Sequence, residues 1–467
     1  MSKSDRIQCI SPVDGRIYAE RPIASGDAVT QAFAKARHAQ KAWKLQSIEE
    51  RAVYCGQAVD AMQSMAEDIV PELAWQMGRP VRFGPSELRG FEDRARHMIA
   101  IAAEGLADID LEPKTGFVRK IRRVPLGVVF TIAPWNYPYL TAVNSVIPAL
   151  MAGNAVVLKH ARQTLCVGER FQEAFARAGL PDGLFHNLVL SHAQTAEIIS
   201  ARLADMVCFT GSVSAGAEIE RAAAGQFLRV GLELGGKDPA YVRADADLDH
   251  AVENLVDGAF FNSGQSCCGI ERIYVHGDVY DGFLQNFVEQ TRNYVLGNPL
   301  DEVTTLGPMV NAKAADFVRS QIAAALRGGA VAHIKEGDFE ASKAGTPYLA
   351  PQVLSSVDHQ MSVMREESFG PVIGIMKTAD DEEAIALMND SPFGLTASVW
   401  TRDTEAAGRI GEQIDTGTFF MNRCDYLDPA LAWTGVKDSG RGHTLSIGGY
   451  EQLTRPKSFH LRTETGS

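Results

Sequence analysis

Glu233-Leu234-Gly235-Gly236-Lys237, with Gly264-Gln265-Ser266-Cys267-Cys268 further along, is the stretch that decides how this chain of 467 residues is interpreted. Each segment places a reactive side chain, a carboxylate or a thiol, beside glycines, which let the backbone approach a ligand closely. A thiol can attack a carbonyl carbon, and a carboxylate can activate the water that releases the product. The two segments predict chemistry on a carbonyl compound, with a cysteine as nucleophile and Glu233 as base.

Apolar runs that alternate with helical stretches lie on both sides of these segments. The first series predicts strands at 127–132, 155–158, 188–190 and 206–210 and helices at 164–178 and 195–203. The second series predicts strands at 272–276, 372–376, 397–401 and 417–421. This order is typical of βαβ units with parallel strands, so the predicted fold class is α/β. Ser47 and Glu50 form a capping box that opens an amphipathic run to about Met77.

Composition excludes several classes of protein. A chain of 467 residues predicts two or three lobes. The net charge of −13 argues against a nucleic-acid partner. The seven scattered cysteines indicate reduced thiols rather than a disulfide framework. Residues 1–10 contain no apolar signal segment, and polar residues and Pro148 interrupt the most apolar run, 142–158. A cytoplasmic protein without a membrane span is predicted.

Three motifs resemble those of the aldehyde dehydrogenase superfamily. The family's general base lies in Glu-Leu-Gly-Gly-Lys, and its nucleophile is the cysteine after Gly-Gln-x, which is Cys267 rather than Cys268. Pro134-Trp135-Asn136 matches the segment whose asparagine amide, with the N–H of the nucleophile, stabilises an oxyanion. The resemblance implies a catalytic set of Cys267, Glu233 and Asn136.

The resemblance also implies a site for NAD or NADP, although the G-x-G-x-x-G fingerprint is absent. The segment 209–216 matches the family's Phe-Thr-Gly-Ser-x-x-x-Gly, where a helix N-terminus would hold the pyrophosphate. Lys159 matches the lysine at the adenosine ribose, and the second glutamate of the 366–371 motif matches the carboxylate at the nicotinamide ribose. The implied set is Ile132, Pro134, Trp135, Lys159, Arg162, Gly211, Ser212, Gly216, Leu234, Glu367 and Phe369.

Three positions depart from the family pattern. Arg162 stands where a glutamate commonly accepts a hydrogen bond from the 2′-hydroxyl of NAD, and a guanidinium favours a 2′-phosphate. We therefore expect that NADP is accepted. The segment 190–194 lacks the usual glycine-containing loop, which leaves the adenine contacts open. His443-Thr444 replaces the usual Arg-Glu, so a proton relay through that glutamate is not expected.

The resemblance implies a tunnel for the aldehyde, lined by Tyr137, Phe261, Ser266, Cys268, Tyr426 and Trp433. Family members that act on succinate semialdehyde typically carry arginines at the positions of Asn144 and Phe261. No cation stands at either position, and Arg423 is a possible substitute near the tunnel. The sequence favours an uncharged aromatic or medium-chain aldehyde.

The expected reaction is the oxidation of an aldehyde to a carboxylic acid through a thiohemiacetal and a thioester of Cys267. One alternative is a CoA-acylating dehydrogenase, although such members generally lack the glutamate base. Another is a cysteine-dependent hydrolase or esterase, which would need a histidine partner. A non-catalytic protein of the same fold is the third alternative. No metal site is predicted.

The expected domain division follows the family pattern. Residues 1–107 and 124–234 would form the NAD(P)-binding domain, and 235–438 the catalytic domain. Residues 108–123 and 449–467 would form oligomerisation segments. The stretches 117–124 and 457–462 look like exposed strands, and we expect them to meet between subunits of a homodimer or homotetramer.

Overall fold

The first of two large sheets consists of five strands that precede or end at Glu233 and the short strand Gly440–Arg441 at one edge. The computed structural model describes residues 6–464. In spatial order the six strands are Gly440–Arg441, Arg229–Glu233, Met206–Thr210, Val128–Ile132, Ala155–Lys159 and Phe185–Asn187. All neighbours are parallel except the Gly440–Arg441 strand, which runs antiparallel to Arg229–Glu233.

The predicted strand at 188–190 is wrong. The strand is Phe185–Asn187, and the ladder ends where Leu188 donates to the Leu158 carbonyl. The apolar residues after it face a cleft instead of pairing in the sheet. Their hydrophobicity therefore reflects a cavity wall, which a sequence pattern does not distinguish from a buried strand.

The second sheet comes after Glu233 along the chain. Its seven strands in spatial order are Val331–Ala332, Gln352–Ser355, Val372–Thr378, Ile270–His276, Asp238–Val242, Thr396–Trp400 and Thr418–Met421. All pairs are parallel except that of the short edge strand Val331–Ala332. The predicted strands of both series are confirmed apart from 188–190, and so is the α/β class.

A third sheet corrects the expectation for the two exposed strands. Phe117–Pro125 and Thr454–Arg462 pair with each other within the chain, antiparallel, from Phe117 opposite Arg462 to Pro125 opposite Thr454. The short strand Ile109–Asp110 lies on the other side of Phe117–Pro125. These two strands therefore pair without another subunit, and the outer edge of Thr454–Arg462 has no partner among the described residues. Residues 465–467 of the expected C-terminal segment, and 1–5 of the N-terminal one, lie outside the described residues.

Eight of the helices begin at a side-chain cap, supplied by Ser25, Ser47, Ser191, Ser212, Asp247, Asn311, Asp380 and Asp403. Ser47 and Glu50 form the predicted capping box, and the amphipathic run after it is divided into two helices at Ser64, whose hydroxyl donates to the Ala61 carbonyl. The helices are Gly26–Trp43, Ile48–Gln63, Ala66–Met77, Gly84–Ala100, Ala102–Gly105, Pro138–Met151, Leu165–Arg177, His192–Ser200, Val213–Ala223, Leu248–Phe260, Tyr280–Thr291, Ala312–Arg327, Ser362–Arg365, Asp381–Asn389, Thr404–Gly411 and Ser446–Gln452. Small two-stranded ladders join Arg6–Ile10 to Ile17–Pro22, Phe393–Gly394 to Val436–Lys437, and Trp433–Thr434 to His443–Thr444.

One buried helix fixes the position of Asn136. The helix Pro138–Met151 is mostly apolar and almost entirely buried, and it packs against Gly84–Ala100. It begins two residues after Asn136, so a rigid element holds that asparagine in place. Within residues 6–464, none of the helices combines the length and the apolar composition that crossing a bilayer would require. The cytoplasmic location stays a prediction.

Candidate active site

A cleft of about 1280 Å³ opens at the carboxyl edge of the six-stranded sheet. It brings together residues that are far apart in the sequence. From the predicted set, its walls include Ile132, Pro134, Trp135, Asn136, Lys159, Arg162, Gly211, Ser212, Glu233, Leu234, Cys267, Glu367 and Phe369. Gly216 lies one helical turn inside Val213–Ala223, where a methyl group would press on the Leu234 side chain.

The loop before Cys267 has an unusual backbone. Asn262, Ser263 and Gly264 all have left-handed conformations, with φ of 54°, 58° and 68°. A side chain at Gly264 would collide with the Gly370 carbonyl oxygen, so only glycine fits there. The Gln265 amide closes the turn by donating to the Asn262 carbonyl at 3.0 Å, and its oxygen accepts from the Val310 N–H at 2.7 Å.

Asn136 lies directly against this loop. Its side-chain amide is buried and donates to the Gln265 carbonyl at 3.1 Å. Arg79, which forms a buried ion pair with Glu87, donates to the Asn136 carbonyl at 2.5 Å. The asparagine is therefore held from both its main chain and its side chain, as a preorganised donor must be.

The two adjacent cysteines differ in accessibility. Cys267 is partly exposed and lines the cleft, whereas Cys268 is buried. The Cys268 thiol is 3.0 Å from an oxygen of Asp425. A hydrogen bond with Cys267, followed by burial, raises the pKa of Cys268 well above its ordinary value. Of the two thiols, Cys267 is the one placed to meet a ligand.

Both oxygens of Glu233 accept hydrogen bonds from threonine hydroxyls. Thr210 donates at 2.9 Å and Thr444 at 2.6 Å. Burial raises the pKa of Glu233, while the hydrogen bonds from Thr444 and Thr210 and the charge of Arg94 oppose that rise. Thr444 therefore takes part in the site at the place where the family usually has glutamate, and a hydroxyl there holds the base without adding a second carboxylate.

A second carboxyl group, which is half-buried, lies at the end of the cleft where Gly235 and Gly236 pass. Glu367 accepts from the Gly236 N–H at 3.1 Å, and a side chain at Gly235 would collide with the same carboxylate. Burial, and next the charge of Glu271, raises the pKa of Glu367 to about 8. Phe369 has a φ of 50°, and its ring meets Trp135 edge-on at 5.7 Å between centroids.

The other end of the cleft is basic. The Val213–Ala223 helix begins there with Ser212 as its N-cap, as expected for a site that holds a pyrophosphate. Burial, and then the charges of Lys159 and Arg162, lower the pKa of His192. Three basic side chains thus face one region of the cleft, and His192 was not predicted because the 190–194 segment departs from the family pattern.

The predicted tunnel residues fall into two groups. Tyr137 and Phe261 lie face to face with ring centroids 6.5 Å apart, and Ser266 and Cys268 both contact Asp425 near them. Tyr426 is 42% exposed with the Arg423 guanidinium stacked on its ring. Trp433 is buried in the apolar core that also contains the strands Val128–Ile132 and Ala155–Lys159. Asp425 was missed, because nothing in the sequence around it marks a carboxylate that contacts Ser266 and Cys268.

A parallel sheet, a helix N-terminus and a cleft that also holds a thiol and a carboxylate are together typical of nucleotide-dependent oxidoreductases that work through cysteine. Comparison with known proteins agrees with this class. The chain matches the sequence model of the aldehyde dehydrogenase family over residues 1–459, and it belongs to that family. It is an NAD(P)-dependent aldehyde dehydrogenase, as the resemblance of its motifs predicted.

Several individual relatives cover the whole chain. An aldehyde dehydrogenase of Paenarthrobacter nicotinovorans is 35% identical over 459 residues, 97% of this chain and 99% of the relative. A succinate-semialdehyde dehydrogenase (NADP(+)) of Mycobacterium tuberculosis is 32% identical, covering 97% and 99%. The structure resembles a succinic semialdehyde dehydrogenase of Streptococcus pyogenes in complex with NADP+, with a TM-score of 0.93, 28% identity and coverage of 98% and 100%. It also resembles an NAD-dependent aldehyde dehydrogenase of Sinorhizobium meliloti, with a TM-score of 0.94, 31% identity and coverage of 100% and 93%.

Proposed function

We propose that Cys267, Glu233 and Asn136 carry out the oxidation. The Cys267 sulfur bonds to the aldehyde carbon, and the Asn136 amide with the Cys267 N–H stabilises the oxyanion. NAD(P)+ supplies the acceptor for the hydride that leaves this carbon, which becomes a thioester. Glu233 then takes a proton from water, the water oxygen bonds to the thioester carbon, and the acid departs as the thiol is restored.

The observation that carries this proposal is the position of the two groups on one cleft. Cys267 is the accessible thiol of the pair, and Glu233 lies on the same cleft with its pKa raised by burial, as suits a base that works near neutral pH. The glutamate argues against the CoA-acylating alternative. The hydrolase alternative would need a histidine at the thiol, and among residues 6–464 no imidazole hydrogen-bonds to Cys267, while those of His160 and His443 bond to the carbonyls of Pro138 and Gly448.

Substitution of the thiol tests the assignment. We expect Cys267→Ser to lose at least about 1000-fold in kcat, because an alkoxide is far harder to form than a thiolate. The matched control is Cys166→Ser, a partly exposed cysteine in a separate small apolar cluster. Reduction of NAD(P)+ at the wild-type rate by Cys267→Ser would refute the mechanism, whereas equal losses in both variants would point to misfolding.

The residues of the cleft fit a bound dinucleotide. Glu367 would accept from the nicotinamide ribose, Ser212 and the helix N-terminus would hold the pyrophosphate, and Lys159 would contact the adenosine ribose. Arg162 and His192 lie at that same end, which supports acceptance of a 2′-phosphate.

The cofactor proposal has its own test. We expect Arg162→Ala to lower kcat/KM for NADP+ by about 10- to 100-fold and to change the value for NAD+ little, because only NADP+ carries the phosphate. The exposed Arg177 provides the control Arg177→Ala. A strong preference for NAD+ in the wild type that Arg162→Ala leaves unchanged would overturn the proposal.

We also propose the predicted domain division, in which the strands of the three-stranded sheet belong to the oligomerisation segments. A homo-oligomer would form through this sheet. Its strand Thr454–Arg462 has one edge without a partner among the described residues, and Ile109, Val118 and Leu461 expose apolar side chains on it. We expect light scattering to give a dimer or tetramer and Val118→Asp to give a smaller species. A monomeric wild-type protein would contradict this.

A further inference from the structure

Arg94 is a buried cation that the proposed mechanism does not use. It lies on the helix Gly84–Ala100 and is 8% exposed. Its hydrogen bonds within residues 6–464 leave from Nη1, to the Leu140 carbonyl at 2.6 Å and to Oδ1 of Asn144 at 3.3 Å. No carboxylate of the described residues lies within 4 Å of its guanidinium. Glu87, on the same helix, is paired with Arg79 instead. A buried charge without a counter-ion is unfavourable unless a ligand supplies one.

The side chain of Asn144 also has an unused hydrogen-bond donor among the described residues. Its side chain is 2% exposed, its oxygen faces Arg94, and its Nδ2 has no hydrogen-bond partner among the described residues. An unused amide donor therefore lies beside a guanidinium with unused donors. All of these groups attract a hydrogen-bond acceptor, and a carboxylate accepts from both kinds.

The pair lies beside the reacting groups. Asn144 lines the small cavity behind Glu233. Burial lowers the pKa of Arg94, and the charges of Glu87, Cys268, Glu233 and Cys267 oppose that shift, while Arg94 in turn lowers the pKa of Glu233. Asn144 also belongs to the helix that begins directly after Asn136 and Tyr137. Glu233 lines both this small cavity and the cleft that holds Cys267, so the space beside Asn144 adjoins the reacting groups.

We propose that Arg94 and Asn144 bind the carboxylate of a short aldehyde that carries a carboxylate at its other end, such as succinate semialdehyde. This inference rests on the function proposed for Cys267. It revises the expectation of an uncharged aldehyde, which was based on the missing arginines at 144 and 261. Arg94 brings a guanidinium to Asn144 from the neighbouring helix Gly84–Ala100. The motif comparison considered only the residues at positions 144 and 261 themselves.

The test compares two aldehydes of four carbons, succinate semialdehyde and butanal, which differ in the carboxylate. We expect the wild type to prefer succinate semialdehyde in kcat/KM. Arg94→Met should lower this preference by about 10- to 100-fold, the range for a lost charge-assisted hydrogen bond, because kcat/KM for succinate semialdehyde should fall further than kcat/KM for butanal by that factor. Arg89 is exposed on the same helix, so Arg89→Met is the matched control and should keep the preference.

Each result decides between distinct conclusions. A wild type that prefers butanal, or a preference unchanged in Arg94→Met, would overturn the carboxylate site. Equal losses on both aldehydes in a folded Arg94→Met variant would also overturn it, because Arg94 would then act through Glu233. A wild type inactive on every aldehyde would refute the proposed function instead.

A second measurement needs no variant. Succinate should protect Cys267 of the wild type from alkylation by iodoacetamide at a concentration about 10-fold or more lower than butyrate requires. Equal protection by the two acids would overturn the carboxylate site, even if Arg94→Met does not fold.

Discussion

Replacing the half-buried carboxyl group of Glu367 with an amide should make the protein more stable and its cofactor site weaker. Burial, with the nearby Glu271, raises the pKa of Glu367 from 4.5 to about 8. A carboxyl group of this kind contributes stability below pH 4.5 and loses it progressively as the pH rises to about 8. In Glu367→Gln the amide oxygen keeps the hydrogen bond from Gly236 and has no proton to lose.

The magnitude is set by the two pKa values. Between pH 4.5 and about 8, the folded wild type loses about 1.4 kcal/mol per pH unit relative to the variant. At pH 7 the variant should therefore be more stable by about 3 kcal/mol, and near pH 4.5 the two proteins should be equal. Binding of NADP+ should weaken in the variant, because an amide offers the ribose hydroxyls one acceptor oxygen where a carboxyl group offers two.

Guanidinium denaturation of the cofactor-free protein at pH 5, 6, 7 and 8 measures the stability difference, and calorimetric titration with NADP+ measures the affinity. Glu366→Gln is the matched control, since this neighbouring carboxylate is exposed. A stability gain that is absent, or that does not grow with pH, would refute the argument from burial. Unchanged NADP+ affinity would refute the role of Glu367 at the cofactor.

Three further substitutions test the rest of the site. Thr444→Val removes a hydrogen bond that lowers the pKa of Glu233, so the rise of kcat with pH should shift upward and kcat at pH 6 should fall by roughly 3- to 10-fold; an unchanged pH profile would contradict this. Gly264→Ala combines a left-handed φ with a collision at Gly370, and thermal unfolding should show a loss of about 2 kcal/mol or more, unlike a tolerated substitution. Asn136→Ala removes an oxyanion donor and should lower kcat by about 100- to 1000-fold in steady-state assays, with a smaller loss arguing against that role.

Much of the fold was predictable because local signals agree with the final structure. The Ser47 capping box and the buried strands of both series depend on residues close in the sequence, and each formed where the pattern indicated. The strand at 188–190 failed because apolar residues that line a cleft look the same as apolar residues in a sheet. The two exposed strands were expected to meet between subunits, and Phe117–Pro125 and Thr454–Arg462 pair within one chain, because an exposed-strand pattern does not show whether the partner strand belongs to the same chain.

The residues of the site also fall into two groups: those that a local motif marks and those that only contacts between distant elements bring together. Motifs marked Cys267 and Glu233, since glycines and reactive side chains stand together in the sequence. Thr444 and Arg94 depend on contacts between distant elements, which a comparison position by position does not reveal. The departures from the family pattern identified the positions at which a usual residue is absent. The contacts of Thr444 and Arg94 in the structure show which side chains stand there instead.

Trapping the acyl-enzyme tests the central claim most directly. In Glu233→Gln the amide cannot take a proton from water, so mixing with succinate semialdehyde and NADP+ should give one equivalent of NADPH per subunit and then almost none. Mass spectrometry of the digested protein should find the acyl group on the peptide of Cys267 and on no other cysteine. Continued turnover at the wild-type rate, or an acyl group on a different residue, would contradict the account.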